Sequence, residues 1–122
     1  MSETLRKNLT KPDETRSFPK GKMEIVKLGD LVVGKATFQP GWKWSESVKP
    51  IVGTNMCMVS HAGYIISGRM HVKMEDGKEI DVGPGDAFVF TPGHDAWIVG
   101  NEPCVLLEFS GSAVGYAKRA AA

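Results

Sequence analysis

An all-β fold, a small antiparallel barrel or sandwich, is predicted for this 122-residue chain by three features of its sequence. From Arg69 to Glu75 the residues alternate, with Met70, Val72 and Met74 on one face and Arg69, His71, Lys73 and Glu75 on the other. Asp76-Gly77 then supplies the two residues of a tight hairpin, after which Ile80 and Val82 resume the alternation. Gly83-Pro84-Gly85-Asp86 and Pro92-Gly93 turn the chain twice more around the apolar run Ala87 to Phe90.

Taken in order, residues 1–20 are polar, contain Pro12, Asp13 and Pro19, and are expected to form an arm. The barrel domain is expected over 21–112, starting with a strand at Met23 to Leu28, a Gly29-Asp30 turn and a second strand from Leu31 to Gln39. Residues 42–54, with Trp42, Trp44, Pro50 and Gly53, read as a long loop, a length that is usually functional or packed at an interface. Further strands are expected near 55–59, 62–67, 69–75, 78–82, 87–90, 95–99 and 104–110, the last with Val105, Leu107 and Phe109 on one face. The tail 113–122 is Ala-rich and is expected to form a short helix or fray.

Fifteen Lys and Arg against fourteen Asp and Glu leave a net charge of +1, which favours neither nucleic acid nor an anionic membrane. No apolar stretch approaches the length of a membrane span, and the N-terminus lacks the apolar region of a secretory signal. A cytoplasmic protein is expected, with Cys57 and Cys104 as free thiols rather than a disulfide.

The succession of apolar strand, Ser67-Gly68-Arg69, alternating strand, Asp76-Gly77, strand, Gly83-Pro84-Gly85-Asp86, apolar strand and Pro92-Gly93 resembles the core of single-domain cupins over roughly residues 36–109. The resemblance implies a cupin-like jelly-roll β-barrel that commonly dimerises, in a fold that hosts isomerases, lyases, oxygenases and binding proteins alike. It also implies where metal ligands should stand, and here the chain departs from the pattern. Anchored on Gly68, the family's first motif puts His61 at the position of its Glu, and Asn55 and Cys57 at its His-x-His pair. The second motif, anchored on Gly85, puts Ala96 at the His position and Gly100 at the Asn position, with His94 two residues early. The usual site of three His and one Glu is absent as written.

Two functional readings follow. In the first, the barrel binds a small molecule without that metal site, in a pocket of His61, Tyr64, His94 and Trp97. In the second, an enzyme of isomerase, lyase or oxygenase type holds one divalent transition metal, Zn or Fe, on His61, His94 and Cys57; its catalytic residues stay unassigned. Cys57 and His61 are four apart and share a face in extended geometry, and His61 should point inward as the Glu it replaces does. Each residue also has a plainer reading. Cys57 among Met56, Met58 and Val59 suits a buried small hydrophobe, His61 a core histidine and His94 a turn residue. Trp42, Trp44 and Trp97 suit either core packing or an aromatic wall around a ligand. His71, of opposite parity to Met70 and Val72, belongs on the surface. A homodimer is expected, because an open barrel edge needs cover and the N-terminal arm can supply it.

Overall fold

The structure, a computed structural model, describes residues 3–109. Among them are nine strands: β1 (Glu14–Phe18), β2 (Gly21–Leu28), β3 (Leu31–Phe38), β4 (His61–Ser67), β5 (Arg69–Met74), β6 (Glu79–Val82), β7 (Ala87–Phe90), β8 (His94–Val99) and β9 (Cys104–Glu108). Two helical turns, α1 (Trp44–Ser47) and α2 (Lys49–Val52), lie between β3 and β4. No helix among the described residues is long and apolar enough to cross a membrane.

The strands form two sheets, one of six in the order β1-β2-β3-β9-β4-β7 and one of three in the order β6-β5-β8, all paired antiparallel. Alternation puts one face of each sheet on a shared core. Met23, Ile25, Ala36, Phe38, Ile65 and Leu106 enter it from the large sheet, and Met70, Val72, Ala96 and Ile98 from the small one. This is the jelly-roll arrangement, although the sheets are not hydrogen-bonded into a closed ring. Two isolated bridges, Lys43 with Trp97 and Cys57 with His94, tie the connecting segments to β8.

Turn chemistry accounts for the strand boundaries. Gly77 adopts φ +93° in the β5–β6 hairpin, where Met74 N–H donates to the Lys78 carbonyl at 2.7 Å. Asp86 closes the turn before β7 by accepting from Gly83 N–H at 2.8 Å.

Three segments differ from expectation. Residues 14–18, read as part of an arm, form edge strand β1 on β2. The strand is short, polar and bounded by Pro12 and Pro19, and its one buried side chain, Phe18, packs 6.0 Å from Phe38 and 6.5 Å from Trp42 between ring centroids. The long loop at 42–54 contains α1 and α2, the second with Pro50 in its first turn and Gly53 at φ +80° closing it. The strand expected at 55–59 reduces to the single bridge at Cys57. The tail 113–122 lies outside the described residues.

Candidate metal centre

β4 carries His61, Gly63 and Ile65 on its inward face, and His61 is buried. On the neighbouring β9 the inward residues are Cys104, Leu106 and Glu108. Gly63 pairs with Glu108, and the two backbones approach so closely that a Cβ on Gly63 would stand 1.9 Å from the Leu107 carbonyl oxygen. This contact sets Glu108 beside His61. His94 opens β8 after the Pro92-Gly93 turn, and Cys57 is pinned to it through the backbone: Cys57 N–H donates to the His94 carbonyl and Gly93 N–H to the Cys57 carbonyl, each at 2.8 Å.

Cys57, His61 and His94 thus converge, all buried, each with a ligand atom within 4.8 Å of the others. Cys57 Sγ lies 3.6 Å from His61 Nε2. The remaining ring nitrogens are held from behind. His61 Nδ1 is hydrogen-bonded to Glu108 Oε1, and His94 Nδ1 donates to the Thr91 carbonyl at 2.7 Å. A histidine anchored through Nδ1 has its Nε2 lone pair available as a ligand, the arrangement by which proteins orient imidazoles toward metals.

Burial alone would push the Cys57 thiol up, but His61 and His94 beside it reverse the effect and bring it down to about 6. Burial likewise disfavours the His61 imidazolium, yet Cys57 and Glu108 outweigh it and hold the ring up at about 9. Cys104 shows the contrast: burial, with Glu102 adding to it, pushes that thiol up to about 11. Of the two free cysteines, only Cys57 has a thiolate available near neutral pH.

The three ligand residues and Glu108 line a cavity whose other walls include Trp42, Trp44, Phe38, Phe90 and Ala96. It holds about 20 Å³ of free space, close to the room needed by one water. Ligand atoms around a tetrahedral zinc stand roughly 3.3–3.8 Å apart for its usual bond lengths. The Cys57–His61 separation of 3.6 Å falls in that range. The 4.8 Å bound on the whole set exceeds it by about an ångström. One thiolate and two imidazoles suit Zn²⁺ or Fe²⁺, so the residues fit the metal.

The structure therefore brings together His61, His94 and Cys57 and leaves out the other two expected pocket residues. Tyr64 is 42% exposed on the outer face of β4. Trp97 lies on the outer face of β8, its ring 4.8 Å from His71 and 5.2 Å beneath the Lys43 ammonium. The reason is the two-residue period, since Tyr64 is three residues from inward-facing His61 and Trp97 three from inward-facing His94. His71 is on that outer surface as expected, bonded to Asp81 at 2.6 Å and Glu79 at 2.8 Å. Asp81 first and then Glu79 raise its pKa.

Glu108 was missed. Grouping Val105, Leu107 and Phe109 on one face leaves Cys104, Leu106 and Glu108 for the other, so its inward position was open to inspection. A carboxylate near the end of an apolar strand simply reads as a surface residue.

Residues 58–110 match the model of the family described as Cupin domain. Over that segment the chain is similar to that family, and its jelly-roll fold agrees. No curated protein matches the sequence. Among solved structures, an oxalate decarboxylase from Lactobacillus farciminis is similar at 18% identity and a TM-score of 0.62, over 88% of this chain and 32% of that one. The polyketide cyclase RemF from Streptomyces resistomycificus is similar at 16% identity and a TM-score of 0.61, over 87% of this chain and 78% of that one. KdgF from Halomonas sp. reaches 26% identity at a TM-score of 0.50, over 75% of this chain and 81% of that one.

Proposed function

We propose that this cupin is a metal-dependent protein that acts on a small molecule, with one divalent transition ion, Zn²⁺ or Fe²⁺, held by Cys57, His61 and His94. The observation that carries the reading is the convergence of three buried donor atoms within 4.8 Å. Three protein ligands leave a coordination position for substrate or water, the design of catalytic rather than structural sites. When bound, the ion supplies Lewis acidity to that position. The chain's own contribution is to orient His61 through Glu108, to hold His94 through Thr91 and to exclude bulk water with aromatic walls. A cytoplasmic setting, where thiols remain reduced, suits a centre built on a free Cys57. Titration with Co²⁺ tests the reading directly. It should saturate at about one ion per chain and produce a sulfur-to-cobalt charge-transfer band, which only the thiolate site can give. Saturation without that band rules out Cys57 as a ligand.

The pH dependence of metal uptake has a definite sign. In the metal-free protein, between about 6 and about 9, Cys57 is a thiolate and His61 an imidazolium. A metal must displace the His61 proton, so affinity rises as pH increases and levels off above about 9. Below about 6 the Cys57 proton must leave as well, and the dependence steepens. Competition with a chromophoric chelator at three pH values should show roughly tenfold tighter binding per pH unit in the middle window. Affinity that does not change with pH would contradict this proton inventory.

The other reading, a barrel that takes up a small molecule without metal, draws support from the buried aromatic walls Trp42, Trp44 and Phe90. Its ligand binding would survive chelation, whereas that of the metal centre would not. We further propose a homodimer. Tyr64, Ile66, Val89 and Phe109 are exposed on the outer faces of β4 and β7 and at the end of β9, strands adjacent in the large sheet. Such a continuous apolar face suits a second copy of the chain. Sedimentation at tens of micromolar should return twice the chain mass of 13.2 kDa; a clean monomer excludes the dimer.

A further inference from the structure

The three donors are sealed from solvent. Cys57, His61 and His94 are 2%, 5% and 3% exposed, and the cavity they line has room for about one water. A hydrated divalent ion, like any small molecule the centre acts on, is larger than that space, so entry requires part of the wall to move. The elements that carry the donors differ in how firmly they are held. β4, with His61, is paired on one side to β7 and on the other to β9, and β8, with His94, is paired to β5 along its whole length. Cys57 stands in no strand. Among the described residues, the backbone hydrogen bonds that tie residues 54–60 to the rest of the fold all fall at the Cys57 bridge. Cys57 N–H donates to the His94 carbonyl, and the Gly93 and His94 N–H groups donate to the Cys57 carbonyl.

Both ends of this segment are marked. On its N-terminal side Trp44 and Val48 are buried, and Ser45 N–H donates to Asp95 at 3.1 Å, which fixes α1 to β8. α2 then stops at Gly53, where φ is +80° and nothing lies within 4 Å of an added carbon. On the C-terminal side β4 begins at His61. Between them Thr54, Asn55, Met58 and Ser60 are exposed, Met56 and Val59 are partly buried, and Cys57 alone is buried. Local opening is easiest where few buried side chains and few backbone bonds resist it. Building on the metal-centre reading, we propose that residues 54–60 are a strap that swings on Gly53 to admit the metal and is then latched shut by it through Cys57. Glycine tolerates the change of backbone angles that such a hinge needs. The latch follows from a difference in contacts: the closed strap gives the ion a sulfur ligand and the open strap gives it none, so the ion shifts the balance toward closure.

Amide hydrogen exchange on the full chain tests this residue by residue, in metal-free protein and in protein loaded with zinc, with zinc content measured on each sample. Without metal, the Cys57 and Gly93 amides should exchange at least about 100-fold faster, relative to their intrinsic rates, than the amide of buried Ile65 in β4, which donates to the Asp86 carbonyl at 2.9 Å. Zinc should slow the first two at least about tenfold and leave the Gly77 amide, in the β5–β6 turn, as it was. In Cys57→Ala, zinc should no longer slow the Gly93 amide, while protection at Ile65 shows that the fold persists. Cys57 and Gly93 exchanging as slowly as Ile65 without metal, or a zinc-replete wild type with unchanged exchange at Gly93, overturns the strap and leaves the centre standing. A wild-type protein that takes up no zinc overturns the centre and the latch together.

Discussion

His61→Ala should abolish stoichiometric metal binding, lowering affinity by at least about 100-fold. The effect is large because His61 joins three roles. Its Nε2 faces Cys57 Sγ at 3.6 Å, its Nδ1 binds Glu108, and its ring packs edge-on 5.4 Å from His94. Alanine removes one ligand, frees another to drift, and leaves the Glu108 carboxylate buried without its main partner. Breaking a buried pair in this way costs about 3–5 kcal/mol, so the variant should also melt at a lower temperature. His94→Ala separates the two consequences: it deletes a ligand and strands only a backbone carbonyl, so metal should be lost with a smaller change in stability. His71→Ala is the control, because His71 lies on the outer surface with Asp81 and Glu79 and should leave the metal content unchanged. Elemental analysis and melting curves of the three variants decide the matter. Metal retained at full stoichiometry in His61→Ala and His94→Ala would remove the assignment.

Gly63→Ala should be among the most damaging single changes to the fold, at about 3 kcal/mol, equivalent to roughly 10 °C in Tm for a domain of this size. The added methyl carbon would stand 1.9 Å from the Leu107 carbonyl oxygen and 3.0 Å from the Phe88 ring. The first of these is backbone, which cannot rotate away, so β4 and β9 must separate at the pair that sets Glu108 next to His61. The damage therefore reaches the centre as well as the sheet. Gly77→Ala gives the comparison. Nothing lies within 4 Å of its added carbon, and only the φ of +93° opposes it, a strain of about 1–2 kcal/mol. Equilibrium denaturation of both variants should rank Gly63→Ala as clearly the less stable. Equal stabilities would mean that the β4–β9 approach is softer than its geometry indicates.

The period of two and the turn residues were sufficient to read most strands of the core domain, because each depends on local signals that a linear sequence carries in full. Alternation also put His71 on an outward face, whereas the inward direction of His61 came from the resemblance, which sets it where the family's Glu stands. Where the reading failed, the cause was tertiary. Edge strand β1 is too short and polar to announce itself, and it exists because Phe18 finds Phe38 and Trp42. The helical turns at Trp44–Ser47 and Lys49–Val52 bury Trp44 and Val48, which no alternation could predict. Tyr64 and Trp97 were drawn to the site by closeness in sequence to its histidines, although parity already placed them on the far side of the sheet.

By itself, then, the sequence determined an all-β, cupin-like barrel and offered Cys57, His61 and His94 as candidate donors, since alternation and turn chemistry are properties of neighbours along the chain. Only the tertiary structure decided that the three meet, because Cys57 reaches His94 through a single bridge between segments 37 residues apart. Glu108, 47 residues from His61, joins them through the β4–β9 pairing. A metal centre needs donors within a few ångströms of one point, and distance in space between remote segments is what a linear pattern does not contain.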